Sequence, residues 1–119
     1  MNHDYRYLNI EYLYEYLDDN NASLKELINI FIPSIKKDWS LLVVAIENKD
    51  FDKIKAHAHK LKSSYRYMGV FSVGDTMEKI DKLAEGKDNI NLIKILSIEA
   101  LQIHEEIIEE VSDFLNNNP

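Results

Sequence analysis

Four histidines are the side chains of this 119-residue sequence best suited to chemistry near neutral pH, because the sequence contains no cysteine. An imidazole changes charge near neutral pH and, when neutral, is a competent nucleophile. His59 has the most informative surroundings. If its segment is helical, four residues fall within about 60° of it on a helical wheel: Lys55, Lys62, Ser63 and Arg66. Such a surface suits an anion at the imidazole, or a partner with an acidic pocket.

The apolar stripe of the same helix centres about 125° from His59, so His59 is expected to lie off the core. His57 falls about 160° from His59, and the two rings therefore cannot hold one ion. We expect His57 to be a flank residue hydrogen-bonded to a neighbouring helix. His104 has Ala100 and Leu101 one turn earlier and not carboxylates, so no metal site is expected, and the acidic residues near His104 are interpreted as a solvated face.

Charge is distributed unevenly along the chain. Residues 51–69 hold five basic residues and one acidic residue, a net charge of +4, within a chain of net charge −7, so the remaining residues carry −11. The overall acidity argues against nucleic acid or an anionic membrane as a partner. No glycine-rich loop of the phosphate-binding kind is present, which argues against a bound nucleotide.

The residues with helical periodicity form five predicted helices, and no segment shows sustained two-residue alternation. Their predicted bounds are Ile10–Leu17, Leu24–Glu47, Phe51–Tyr67, Phe71–Glu85 and Ile90–Asn116. The second is expected to bury Trp39, Leu42 and Val43 among others, and the fourth Leu83 or Ala84. The pattern predicts an all-α fold, an antiparallel up-down four-helix bundle with a short additional N-terminal helix.

Local signals set the expected helix ends. Asn9 and Asp50 are predicted N-caps, residues 23–26 resemble a capping box that begins at Ser23, and Gly69 is expected to end the third helix in a left-handed conformation. Pro33 is expected to kink the second helix, and a break at Ile32 is the competing interpretation.

The chain is expected to form one free-standing domain over residues 1–119. No signal peptide is visible, and the longest central apolar run, residues 41–46, is too short to cross a membrane, so a cytoplasmic location is expected.

The segment from Ala58 to Gly69, AHKLKSSYRYMG, resembles the signature of histidine-containing phosphotransfer (HPt) domains. That signature reads H-x-L-K-G-S-S, with a glycine ten residues after the histidine, and the helical layout resembles the family over the whole chain. The resemblance implies that His59 is the phosphoacceptor, that Lys62 is the basic residue one turn later, and that Gly69 is the closing glycine. Ser63 departs from the pattern, since many members have glycine there.

The resemblance also implies a function in phosphorelay signal transduction. The chain would be a phosphocarrier without autonomous catalytic activity, and its partners would be the receiver domain of a hybrid sensor kinase, a response regulator, or both. No cofactor is expected on this chain, because Mg²⁺ would belong to the receiver. The expected partner-docking residues surround the histidine: Lys55, Ala56, Ser63, Arg66 and Gly69.

Two other functions remain open at this point. The chain could be an adaptor that binds a receiver or kinase through the same basic helix face without being phosphorylated. The dimerisation and phosphoacceptor unit of a sensor kinase fits poorly, because 119 residues leave no space for an ATP-binding domain. No self-complementary apolar stripe is evident in the sequence, so a monomer is expected.

Overall fold

A computed structural model describes residues 5–16 and 21–117, and within these ranges all the regular structure is helical except for an isolated bridge at Asn9. The five helices are α1 (Ile10–Tyr16), α2 (Asn21–Glu47), α3 (Phe51–Tyr67), α4 (Phe71–Glu85) and α5 (Ile90–Asn117). The predicted bounds of α3 and α4 are confirmed. The predicted end of the first helix, Leu17, lies outside the described residues. None of the helices in the described ranges combines the length and apolar composition needed to span a membrane.

The expected capping box at Ser23 is wrong. Because nothing in residues 21 and 22 interrupts a helix, α2 already begins at Asn21, and Ser23 lies inside its first turn. The competing interpretation, a break at Ile32, is wrong, since α2 continues through Pro33 as expected. Proline costs roughly 3 kcal/mol inside a helix. The buried side chains of Ile28 and Ile35 on either side of Pro33 hold the helix against the core.

The four long helices enclose a shared hydrophobic core. α3 packs against α2 and α4, and α5 also packs against α2 and α4, so α3 and α5 lie on opposite sides of the core. The largest buried side chains include Tyr65 and Phe114. Ala84 is buried, whereas Leu83 is only partly so. The prediction for Val43 is wrong: its side chain is 38% exposed because it lies on the outer margin between α2 and α5.

Asp50 and Gly69 fix the two ends of α3. The Asp50 carboxylate accepts a hydrogen bond from the Lys53 backbone N–H at 3.2 Å, which confirms the predicted N-cap. Gly69 has φ +76°, which confirms the predicted left-handed conformation. A Cβ atom at Gly69 would lie 3.1 Å from Tyr12 Cδ1 and 3.2 Å from the Asn9 carbonyl oxygen. Glycine therefore allows α1 to sit directly on the turn between α3 and α4.

The acidic face of α5 is not simply solvated, contrary to the sequence interpretation. Residues 5–8 lie along it: the Tyr5 hydroxyl donates to Asp113 at 2.8 Å, and the Tyr7 hydroxyl donates to Glu106 at 2.9 Å. The backbone N–H groups of residues 7 and 8 donate to the Glu110 carboxylate. These backbone donors precede α1 and have no helical partner, so the carboxylates of α5 satisfy them.

A buried hydrogen-bonded chain connects α2, α3 and α5. Trp39 Nε1–H donates to the Tyr65 hydroxyl at 2.6 Å, and that hydroxyl lies 2.6 Å from His104 Nδ1. Because the Tyr65 oxygen already accepts from Trp39, its one proton is available for His104 Nδ1. Burial lowers the pKa of His104, so the ring is held neutral as the acceptor.

Candidate functional site

His59 lies on the surface of α3 and faces α4. Its side chain is 62% exposed, and its Nδ1 atom is 3.3 Å from an oxygen of Asp81 on α4. The capped first turn and the buried residues Ile54, Ala58 and Leu61 fix the rotation of α3, which places the ring off the core as expected. The ring is thus held at one nitrogen and open to solvent.

Asp81 is the centre of the site, and the sequence analysis did not identify it. Its carboxylate is buried and contacts three side chains of α3. Lys55 Nζ lies 2.7 Å from one oxygen, and His59 Nδ1 and Lys62 Nζ lie 3.3 Å and 3.7 Å from the other. The sequence did contain a signal for a buried carboxylate at this position. Asp81 follows Met77 and precedes Ala84 with the spacing of the buried stripe of α4.

Asp81 remains ionised at neutral pH. Burial by itself would raise its pKa, but the hydrogen bonds from Lys55 and His59, together with the charges of Lys55 and Lys62, lower it below its ordinary value. An ionised carboxylate can only accept hydrogen bonds. His59 Nδ1 must therefore carry a proton, and in the neutral ring the lone pair belongs to Nε2.

Two expected site residues, Lys55 and Lys62, lie beside His59. The side chain of Lys62 is largely buried and its ammonium shares a carboxylate oxygen with the histidine, while Lys55 is about half-exposed. Ala56 and Ser63 are exposed on the same helix. The Ser63 hydroxyl donates to the His59 carbonyl oxygen at 3.3 Å, so it adds little bulk to the surface.

Arg66 is held against α4. Its guanidinium donates to Asp75 at 2.9 Å and to Glu78 at 3.2 Å, and its stem crosses Gly74, where a Cβ atom would come within 2.7 Å of Arg66 Cγ. These two carboxylates raise the pKa of Arg66 against the effect of its partial desolvation. The residue therefore joins α3 to α4 and leaves only part of its surface for a partner.

Gly69 does not lie on the expected docking surface. It is buried, and Asn9 and Tyr12 cover the position where its side chain would begin. Its place in the sequence pattern reflects the backbone conformation of the turn, since a residue with a side chain is strained at this φ. We therefore correct the expectation that it contacts a partner.

The basic surface is weaker than the sequence suggests. All five basic residues of α3 form ion pairs with acidic side chains, most of them on α2 or α4. Lys60 pairs with the buried Asp38 of α2 at 3.4 Å, in addition to the pairs described above. The net charge of residues 51–69 did not reveal this, because the neutralising acids all lie outside that segment.

His57 is partly buried and separate from the site. Its buried Nδ1 atom has no hydrogen-bond partner among the described residues, so the predicted bond to a neighbouring helix is not present at this atom. No hydrogen bond or ion pair joins it to His59 or Asp81 within those residues. The structure thus distinguishes the two histidines by their surroundings.

The comparison with protein families identifies the family of the chain. A family model for the Hpt domain matches residues 26–116, which is most of the sequence, so the chain belongs to the Hpt domain family. Hpt domains act in phosphorelay signalling as phosphocarrier modules that interact with receiver domains. Comparisons with curated proteins and with solved structures gave no match.

Proposed function

We propose that this chain is a phosphocarrier in which His59 Nε2 accepts a phosphoryl group from a receiver aspartate and passes it to a response regulator. The observation that supports this proposal is the exposed His59 ring, held at Nδ1 by the buried, ionised Asp81. This arrangement leaves Nε2 as the nucleophilic nitrogen, on the solvent side where a partner can approach.

The transfer is a displacement at phosphorus. The Nε2 lone pair attacks the phosphorus of the receiver's aspartyl phosphate, an N–P bond forms, and the P–O bond to the aspartate breaks. The electron pair leaves with the receiver carboxylate, and the imidazole ring becomes cationic. Asp81 accepts the Nδ1–H bond and stabilises this cation, as the carboxylate of a catalytic triad does. Attack by the aspartate of a second receiver reverses the step.

Two lysines support the phosphorylated state in this proposal. Lys62 shares a carboxylate oxygen with His59, so a small rotation of its side chain brings the ammonium to the phosphoryl oxygens. Lys55 neutralises the other Asp81 oxygen and limits repulsion between that carboxylate and the phosphoryl group. Ala56, Ser63 and the free part of Arg66 form the surface on which the receiver docks.

The partner supplies the rest of the chemistry. Mg²⁺ and the acidic residues that bind it belong to the receiver, and this chain needs no cofactor. We also propose that residues 1–119 act as one cytoplasmic domain, in which α2 to α5 alternate in direction. The short connections between these helices support that topology.

Phosphotransfer from a phosphorylated receiver domain tests the proposal. Intact mass should show one added phosphoryl group on the wild type and on His57→Gln, and none on His59→Gln. Because an N–P bond is acid-labile, the added mass should disappear at low pH. Binding of the receiver without any labelling would favour the adaptor function instead. Labelling of His59→Gln would place the acceptor elsewhere.

A further inference from the structure

The surface between α2 and α5 carries an apolar groove that the phosphocarrier function does not use. The groove has a volume of about 290 Å³, and its walls are mainly apolar, with Val43, Ile98 and Leu101 at its exposed margins. It lies away from the site, because α3 and its histidine are on the opposite side of the core from α5.

The apolar character extends over the first half of α5 and then stops. Eight residues between positions 91 and 102 are exposed, and four of them are Leu92, Ile95, Ile98 and Leu101. From residue 105 to 117 none of the exposed residues is apolar. Ile98 and Leu101 of this set line the groove together with Val43, whereas Leu92 lines a separate cleft beside α4. An exposed apolar patch such as that of Val43, Ile98 and Leu101 marks an interaction surface.

Two charged residues in the groove indicate what covers it. Glu47 and Lys94 both line it and are exposed, and neither forms an ion pair with any residue in the described ranges. One unpaired positive and one unpaired negative charge on the same patch are self-complementary. In a two-fold arrangement, Glu47 of each copy faces Lys94 of the other.

We infer that this groove is the interface of a symmetric homodimer. The rest of the chain is strongly acidic, so two copies repel each other over most of their surface, whereas the groove carries balanced charge. The folded chain thus displays the self-complementary apolar surface that was not evident in the sequence. Because the site lies on the far side, both copies keep His59 open to a receiver.

Sedimentation equilibrium measures the association directly. Across concentrations from about 1 μM to about 1 mM, the wild type should shift from monomer to dimer. Ile98→Glu should weaken the dimer by at least about tenfold, because it places a charge on the apolar margin that the second copy would cover. Ile30→Glu is the matched control, since Ile30 is equally exposed on α2 but outside the groove, and it should dimerise like the wild type.

A charge exchange tests the two-fold pairing. Glu47→Lys alone and Lys94→Glu alone should each weaken the dimer by about tenfold, since like charges then face each other twice. An equimolar mixture of the two variants should recover dimers, because every facing pair becomes opposite in charge. Thermal unfolding of each variant verifies that the fold is kept.

Three results would overturn the inference. The wild type could remain monomeric at every concentration, Ile98→Glu could dimerise as well as Ile30→Glu, or the mixed variants could fail to recover. If the wild type is monomeric and Ile98→Glu instead loses affinity for a phosphorylated receiver, the groove binds that partner and not a second copy. None of these results depends on whether His59 is phosphorylated.

Discussion

A histidine that carries a phosphoryl group has to keep one ring nitrogen protonated and present the other as a lone pair. Asp81 provides this asymmetry, because its carboxylate is kept ionised by two lysines and lies 3.3 Å from His59 Nδ1. A free imidazole would divide its proton between both nitrogens. In the proposed transfer, Asp81 is a positioning residue that acts through His59 without itself touching the phosphoryl group.

Asp81→Asn should slow phosphorylation of His59 by phosphoramidate by about 100-fold, the lower end of the range for a positioned acid–base partner. An amide can face Nδ1 but cannot stabilise the cationic ring with a full charge. Nitrogen NMR of the imidazole provides a readout beyond the rate, since the fraction of ring with the proton on Nδ1 should fall.

Asp75→Asn is the matched control for this substitution. It removes a carboxylate from the same helix, but one that is exposed and pairs with Arg66. Both the phosphorylation rate and the tautomer should stay close to the wild type. An unchanged rate and tautomer in Asp81→Asn would refute the positioning role.

At the scale of the elements, the turn between α3 and α4 determines how α1 meets the bundle. Gly69→Ala should lower the free energy of unfolding by roughly 1–3 kcal/mol, because alanine is strained at this φ and its Cβ crowds Asn9 and Tyr12. Gly86→Ala is the control. Its φ is −73° and its nearest Cβ contact is an ordinary 3.5 Å, so its stability should be unchanged or slightly higher. Chemical denaturation compares the two, and equal losses would contradict this account.

The buried chain of Trp39, Tyr65 and His104 makes the packing of three helices sensitive to pH. The folded state lowers the pKa of His104, so this residue stabilises the fold above its unfolded pKa of about 6.5. As the pH falls below that value, His104 binds a proton in the unfolded chain but not in the folded chain. The free energy of unfolding therefore decreases. Urea unfolding between pH 7.5 and pH 5.5 should show this decrease in the wild type and a smaller one in His104→Gln. An equal decrease in the free energy of unfolding in the two proteins would contradict this role of His104.

For the molecule as a whole, local patterns predicted the helices well and long-range pairings poorly. The buried face of α3, the Asp50 cap and the left-handed Gly69 depend on residues within a few positions of each other, and the structure confirms all three. The role of Asp81 was missed because it depends on how α4 packs against α3. The acidic residues of α5 were misread for the same reason, since their partners lie about a hundred residues earlier.

The charge of α3 also depends on long-range pairing that the sequence pattern does not show. The sequence placed an excess of basic residues on α3, and the fold distributes acidic partners from α2 and α4 around them. The His59 ring is 62% exposed between these ion pairs. The site is thus defined less by net charge than by one histidine, one buried carboxylate and the two lysines that share it.

The position of the phosphorus atom shows most directly whether Nε2 of His59 is the phosphoacceptor. Protein labelled with ¹⁵N at histidine is treated with phosphoramidate and followed by ¹⁵N and ³¹P NMR. Coupling to phosphorus should appear at Nε2 of His59 alone, with Nδ1 remaining protonated and the signals of His57 and His104 free of phosphorus coupling. Phosphorus on Nδ1 of His59, or on a different histidine, would contradict the account.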